Sequence, residues 1–152
     1  MTTPETCGTG WYSEESIEIL YESEDVLSIK IVNDSYGGGA HPSKATRYAN
    51  LRKPTGKEIQ ISDILVKAAE PELKRLITQQ LRKTDRIPEG QSLTDNGYFT
   101  NLIEVTPNFT INSSGLIFDY GETISSHAHG AVVVEIPYAA IHSLERPNAR
   151  VP

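Results

Sequence analysis

One amphipathic helix between two β-rich stretches sets the limits on what this chain can fold into. Leu73, Leu76, Ile77 and Leu81 recur three, four and eight positions on from the first, which places them on one face of a 3.6-residue helix. Lys74, Arg75, Thr78, Gln79 and Arg82 fall on the other face. Pro71 suits the first turn, where its missing N–H costs nothing. Glu70 and Glu72 at the start, with Arg82 and Lys83 at the end, complement the helix dipole.

Both flanks carry the period of a strand. Residues 16–22 and 25–32 alternate apolar and polar side chains, which predicts two half-buried strands joined by a turn at 23–25. Asn33-Asp34-Ser35-Tyr36-Gly37-Gly38-Gly39 is a cluster of breakers and reads as a loop or a strongly bent strand. Residues 43–51 and 58–61 read as further strands on either side of the Pro54-Thr55-Gly56 turn. Ser62 or Asp63 then caps a short turn holding Ile64, Leu65 and Ala68.

Beyond the helix, 87–96 is loop-like, and 98–105, 108–111 and 116–120 read as strands. Asn112-Ser113-Ser114-Gly115 joins the last two as a hairpin turn. The β-branched run at 131–136 predicts a central strand, and Pro137 ends it and opens a short helix through Leu144. The fold expected is α+β: an antiparallel or mixed sheet packed by one main amphipathic helix plus a short C-terminal helix. A single domain would span 15–145, with a loose lead-in at 1–14 and a disordered tail at 146–152.

Composition narrows the class of function. A chain of 152 residues with 38% hydrophobic and 22% charged residues fits an ordinary globular domain able to bury a core. No run reaches the roughly 18–20 apolar residues of a membrane span. The polar start Met1-Thr2-Thr3-Pro4-Glu5 has no apolar signal core, which leaves a cytosolic chain and the mature part of an exported one both open. Cys7 is the only cysteine, so no intrachain disulfide forms. It reads as a free thiol, with a lipid attachment site as the alternative.

The net charge of −6 argues against nucleic acid as a partner. Seven acids precede the first base, Lys30, and seven more lie between Ile87 and Glu145 without a Lys or Arg among them. Such acidic stretches would steer a basic partner, or simply keep the surface solvated.

The chemistry-bearing motifs are few. No G-x-S-x-G nucleophile motif occurs. The glycine run at Gly37 is not followed by G-K-[ST] and does not lead into a helix, so it is no phosphate loop. His127 and His129, two apart, would project to one side of an extended segment. Together with His41 or Glu122 they are the candidate metal set, for a metal-binding protein or a metal-dependent hydrolase. Asp119, Glu122 and Glu135 are the candidate carboxylates for glycoside chemistry, a triple that any acidic β-protein offers. The leading expectation is a chain without a cofactor. The glycines of Ser35-Tyr36-Gly37-Gly38-Gly39-Ala40-His41-Pro42 lose much backbone entropy on folding, which points to close backbone approach, a bulge or a binding loop.

Several of these motifs resemble one family. Tyr36-Gly37-Gly38-Gly39-Ala40-His41 resembles the aromatic-x-G-G-A-H signature of the RsiV-type family, domain of unknown function 3298. Residues 55–65, from Thr55-Gly56-Lys57-Glu58 to Ile64-Leu65, are similar to its "tGkeltLkDLf" segment. The hairpin at 108–120 is similar to its "f-x-l-x-x-x-G-L-x-F-x-Y" pattern, and Ala128-His129-Gly130 leading to Ile136-Pro137-Tyr138 to its "A-x-G-x-x-x-x-x-I-P-Y" ending. Ser126-His127-Ala128 departs from the family's usual Pro-Tyr-Ala.

The resemblance, over roughly 25–144, implies a non-catalytic recognition domain of the cell envelope, periplasmic or extracellular. Its ligand would be a protein, a basic lysozyme-like one included, or a cell-wall glycan. The residues expected to contact it are Tyr36, Gly37, Gly38, Gly39, Ala40 and His41 in one loop, and Tyr120, His127 and His129 in another.

Overall fold

The computed structural model describes residues 10–149 and 151; Cys7 and most of the expected lead-in lie outside them. Two antiparallel three-stranded sheets and one main helix make up the α+β fold. The first sheet has the order β1-β2-β3, with β1 at Tyr12–Glu22, β2 at Val26–Tyr36 and β3 at Ser43–Arg52. Its strands run further than the alternation suggests. Asn33 to Tyr36 lie in β2 because each is paired across the sheet: Asp34 stands opposite both Glu14 and Lys44, and Ser35 opposite both Ser13 and Ser43. Backbone pairing on both sides outweighs the weak strand preference of Asn, Asp and Ser. The same pairing starts β1 at Tyr12, inside the stretch expected to be loose.

The second sheet comprises β4 (Phe109–Ile111), β5 (Gly115–Gly121) and β6 (Val132–Pro137), in the order β4-β5-β6. The β-branched run at β6 is therefore an edge strand, and β5 is the central one. Alternation still governs β6: Val132, Val134 and Ile136 are buried, whereas Val133 and Glu135 are exposed. The buried side packs on helix α2 (Glu70–Thr84), whose Leu73, Ile77 and Leu81 meet Leu116, Phe118 and Tyr120 in one core cluster. Each large side chain buried this fully contributes about 1.5–3 kcal/mol.

Thr78, expected on the solvent face of α2, is buried instead. Its hydroxyl donates to the Lys74 carbonyl (2.8 Å) and accepts the Ile103 N–H (3.0 Å), so a polar residue at the edge of the stripe fixes the following segment. That segment, 98–105, is not a strand and holds only a bridge between Tyr98 and Ser125. Residues 58–61 likewise give one bridge, Leu51 to Glu58, before helix α1 (Ile61–Ile64) begins. The Asp63 carboxylate accepts the Gln60 N–H (2.9 Å) at its start.

Asn50 joins the two sheets. It is 2% exposed, and its amide takes the part of a short strand against β4. Asn50 Nδ2 donates to the Phe109 carbonyl (2.9 Å), and Oδ1 accepts the Ile111 N–H (2.9 Å) and the Ser28 hydroxyl (2.8 Å). Polar groups buried in this way stay favourable only while every partner is present. At the β4–β5 hairpin the Asn112 side chain accepts the Ser114 and Gly115 N–H groups (2.9 and 2.7 Å). Gly115 itself is compulsory, since a Cβ there would stand 2.2 Å from the Ile136 carbonyl oxygen.

The chain after helix α3 (Tyr138–Ile141) is docked rather than loose. The Arg146 N–H donates to the Ile64 carbonyl (2.8 Å) and its Nε to the Leu65 carbonyl (3.2 Å). Ala149 is buried, and its carbonyl accepts from Arg52.

Candidate functional site

The far end of the first sheet is an arm that leaves the core. Along β1 all residues but Tyr21 are exposed, whereas the opposite end of the sheet buries Val26, Ser28 and Asn50. At the arm's tip three aromatic residues gather. Tyr12 and Tyr36 face each other across the β1–β2 pair with ring centroids 6.3 Å apart and planes 26° from parallel. Tyr12 Oη donates to Asp34 Oδ1 (3.0 Å), which holds the pair in place. Trp11, 82% exposed, sits beside them.

With Ser13, Ser35 and Gly37 these rings line an open groove of about 410 Å³. Gly38 has φ of +91° and comes so close to the indole that a Cβ would stand 3.1 Å from Trp11 Nε1. Of the three glycines it is Gly38 that the left-handed turn against Trp11 requires. Ala40 and His41 are exposed in the same loop.

The second expected loop is built differently. Tyr120 is a core residue, 5% exposed, and its hydroxyl donates to the Glu104 carbonyl (2.7 Å); it offers no surface to a ligand. Burial also raises its pKa well above the usual tyrosine range. Residues 127–129 form a turn, not an extended segment, and the two imidazoles part. His127 lies in solvent beside Glu122 (Nδ1 to Oε2, 2.8 Å).

His129 turns inward. Its Nε2 is 2.9 Å from Asp85 Oδ2, and its ring lies 4.6 Å from that of Tyr98. Tyr98 also donates its hydroxyl to Asp85, at the C-terminal cap of α2. Burial first, then this bond, raises the Tyr98 pKa. The Tyr98–Asp85–His129 cluster ties the loop to the helix end. Among the described residues the side-chain partners of His129 are Asp85 and Tyr98.

The two loops are not joined by any hydrogen bond or ring contact among the described residues. No group of three or more His, Cys, Asp and Glu among them could hold a metal ion, so His41, His127 and His129 do not form a ligand set. The expected carboxylates are separately engaged: Asp119 accepts the Tyr48 hydroxyl (2.9 Å), Glu122 faces His127, and Glu135 accepts the Ser114 hydroxyl (2.6 Å).

A second concavity, of about 450 Å³, lies between α1, α2 and the 105–107 segment. Its walls are apolar, from Leu65, Val66, Leu73 and Val105, with Lys67, Glu70 and Arg146 around them.

Trp11 stands ahead of the alternating stretch, where no periodic pattern marks it. The signal present was the Trp11-Tyr12 pair at the start of β1. Asp85 gave no signal, because only the folded chain brings it to Tyr98 and His129.

Comparison with known proteins agrees with the fold. A search of the curated proteins finds no match. A crystal structure of a DUF3298 family member from Bacteroides fragilis superposes with a TM-score of 0.81 at 24% identity, over 95% of this chain and 58% of that one. A DUF3298 family protein from Pseudomonas aeruginosa gives 0.74 at 16% identity, over 94% of this chain and 66% of that one. The chain thus spans less than two thirds of the length of either relative. The model of the family described as a protein of unknown function, DUF3298, matches residues 62–139. That range takes in α2 and the second sheet and leaves out the glycine loop at 36–41. On this match, the chain belongs to the DUF3298 family.

Proposed function

We propose that this chain is a non-catalytic recognition domain of the cell envelope, which takes a cell-wall glycan or a basic, lysozyme-like protein at the tip of its arm. The observation that carries the reading is the groove walled by Trp11, Tyr12 and Tyr36. Solvent-facing Trp and Tyr present broad, stiff faces that lose little side-chain entropy on contact and anchor ligands well. A sugar ring offers such a face its C–H groups, and a protein offers apolar or guanidinium groups. The RsiV-type likeness of the sequence supports an extracellular setting and a lysozyme-like ligand, and a net charge of −6 suits a basic one. Tyr36 and the glycine loop keep the contacting role expected of them, and Trp11 and Tyr12 join them.

Trp11 is the only tryptophan, so the groove carries its own reporter. Titration with soluble peptidoglycan fragments and with a lysozyme should shift the Trp11 emission for at least one of them. Tyr36→Ala should weaken that binding by about tenfold or more, the effect of removing an aromatic anchor. The proposal fails if neither ligand changes the emission or binds more tightly than about 1 mM by calorimetry.

A further inference from the structure

Strand β1 is an open edge. It pairs with β2 along one side and, among the described residues, with nothing along the other. Ten of its eleven residues are exposed, so a long row of backbone N–H and C=O groups faces water. Natural edges of this length are blunted by proline, lysine, a bulge or a covering segment. β1 contains neither proline nor lysine, and its one irregularity falls between Ile19 and Tyr21, near the end closest to the core. Exposed β-branched residues line it as well: Ile17 and Ile19 are 63% and 61% exposed, opposite Ile31 and Ile29 of β2. None of these four isoleucines belongs to the core.

The charge on this edge has one sign. β1 carries Glu14, Glu15, Glu18 and Glu22 and no base. Among the described residues Glu22 pairs with Lys53, and Glu18 stands across from Lys30 of β2. The side chains sort by the period of the strand: Glu14 and Glu18 lie on one face, and Ile17 and Ile19, preceded by Glu15, on the other. The pattern argues against a second copy of this chain. Two β1 strands paired edge to edge would crowd their glutamates on one ribbon with no base between them, and like charges near each other across strands destabilise the pair.

We propose that β1 accepts an added strand from a basic protein partner, an extended segment that alternates Lys or Arg with apolar residues. Main-chain bonds to the open edge supply affinity, and the alternating side chains supply specificity. Bases of the added strand meet Glu14 and Glu18 on one face. Its apolar residues extend the Ile17–Ile31 and Ile19–Ile29 rows on the other. This deepens the protein-ligand side of the recognition reading, but it depends on the edge of β1 and not on the aromatic tip.

The test uses the full chain and a fluorescein-labelled peptide of about nine residues alternating Lys and Val, a length matched to β1 at about 3.4 Å per residue. Fluorescence anisotropy should show binding that falls as salt is raised. It should be at least tenfold weaker for a Glu/Val peptide, for a Lys/Val peptide N-methylated at alternate residues, and for the Glu14→Lys/Glu15→Lys/Glu18→Lys chain. Hydrogen exchange should slow along β1 on binding. The proposal is overturned if no peptide binds, if either control peptide binds as well as the parent, or if β1 amides gain no protection. It is also overturned if the chain self-associates through β1 in sedimentation. Trp11→Ala separates the two readings: it should spare the peptide while abolishing the groove ligand, and loss of peptide binding in that variant alone assigns the contact to the tip.

Discussion

Replacing Asn50 with leucine removes the link between the two sheets while keeping the side chain's volume nearly constant. Asn50 makes three hydrogen bonds, to Ser28, Phe109 and Ile111. Each is worth about 1 kcal/mol net, and each buried partner left without a bond adds a desolvation penalty of about 1–3 kcal/mol. Leucine recovers part of the loss through apolar burial, about 1.5–3 kcal/mol. The expected net cost is therefore about 3 kcal/mol at the low end of these terms and more above it, a large share of a typical domain stability of about 5–15 kcal/mol.

In urea, with a slope of about 1–3 kcal/mol per M, a cost of about 3 kcal/mol lowers the midpoint by roughly 1–3 M, followed by far-UV circular dichroism. The double variant Ser28→Ala/Asn50→Leu should cost less than the sum of the two single changes, because removing the hydroxyl removes one of the stranded groups. The reasoning is refuted if Asn50→Leu costs under about 1 kcal/mol, or if the two changes add without coupling.

Four further outcomes follow from other parts of the molecule. Thr78→Val should cost about 1–3 kcal/mol by stranding the Ile103 N–H, whereas Thr78→Ser should be close to neutral; chemical denaturation separates them. Gly115→Ala should lower the melting temperature sharply or prevent folding, because its methyl meets the Ile136 carbonyl at 2.2 Å; an unchanged melt contradicts the close packing of β5 on β6. Burial raises the pKa of Tyr48 to about 12 and those of Tyr98, Tyr120 and Tyr138 further. The unfolded chain therefore releases these protons first, so stability should hold up to about pH 10 and fall as pH rises beyond it; urea titrations at pH 9 and 11 check the sign. Addition of zinc should leave the melting temperature unchanged, given that no cluster of three ligands exists among the described residues.

Helix α2 and most strands were legible because their signal is local. The 3.6-residue spacing of Leu73, Ile77 and Leu81 and the alternation through Ile29 and Ile31 each follow from a few neighbours in sequence. What could not be read depends on contacts distant along the chain. Asn33 to Tyr36 look like a loop until β1 and β3 pair with them. Thr78 looks solvated until Ile103 supplies a donor. β6 reads as central because it is rich in valine and isoleucine, yet α2 rather than a second neighbouring strand accounts for that composition.

Half of the candidate site was visible. Tyr36 and the glycines are conspicuous in sequence, but Trp11 becomes their neighbour only once β1 runs antiparallel to β2. Tyr120 was misplaced because it ends a strand beside a loop, where its alternation with Phe118 and Leu116 was the better guide.

The docking of Arg146 and Ala149 has a consequence for how the chain is made. The carbonyls of Ile64 and Leu65 receive their partner from Arg146, 81 positions on from Leu65, and Arg52 meets Ala149, 97 positions on. At a synthesis rate of about 5–20 residues per second, the end of α1 stands open for roughly 4–16 s before Arg146 emerges. The second sheet waits almost as long, because β6 ends at Pro137, so the first sheet and α2 emerge well before the α1 corner can close. A protease acting on nascent chains should cut near Val66 and Lys67, and lose that access once residue 149 is free of the tunnel.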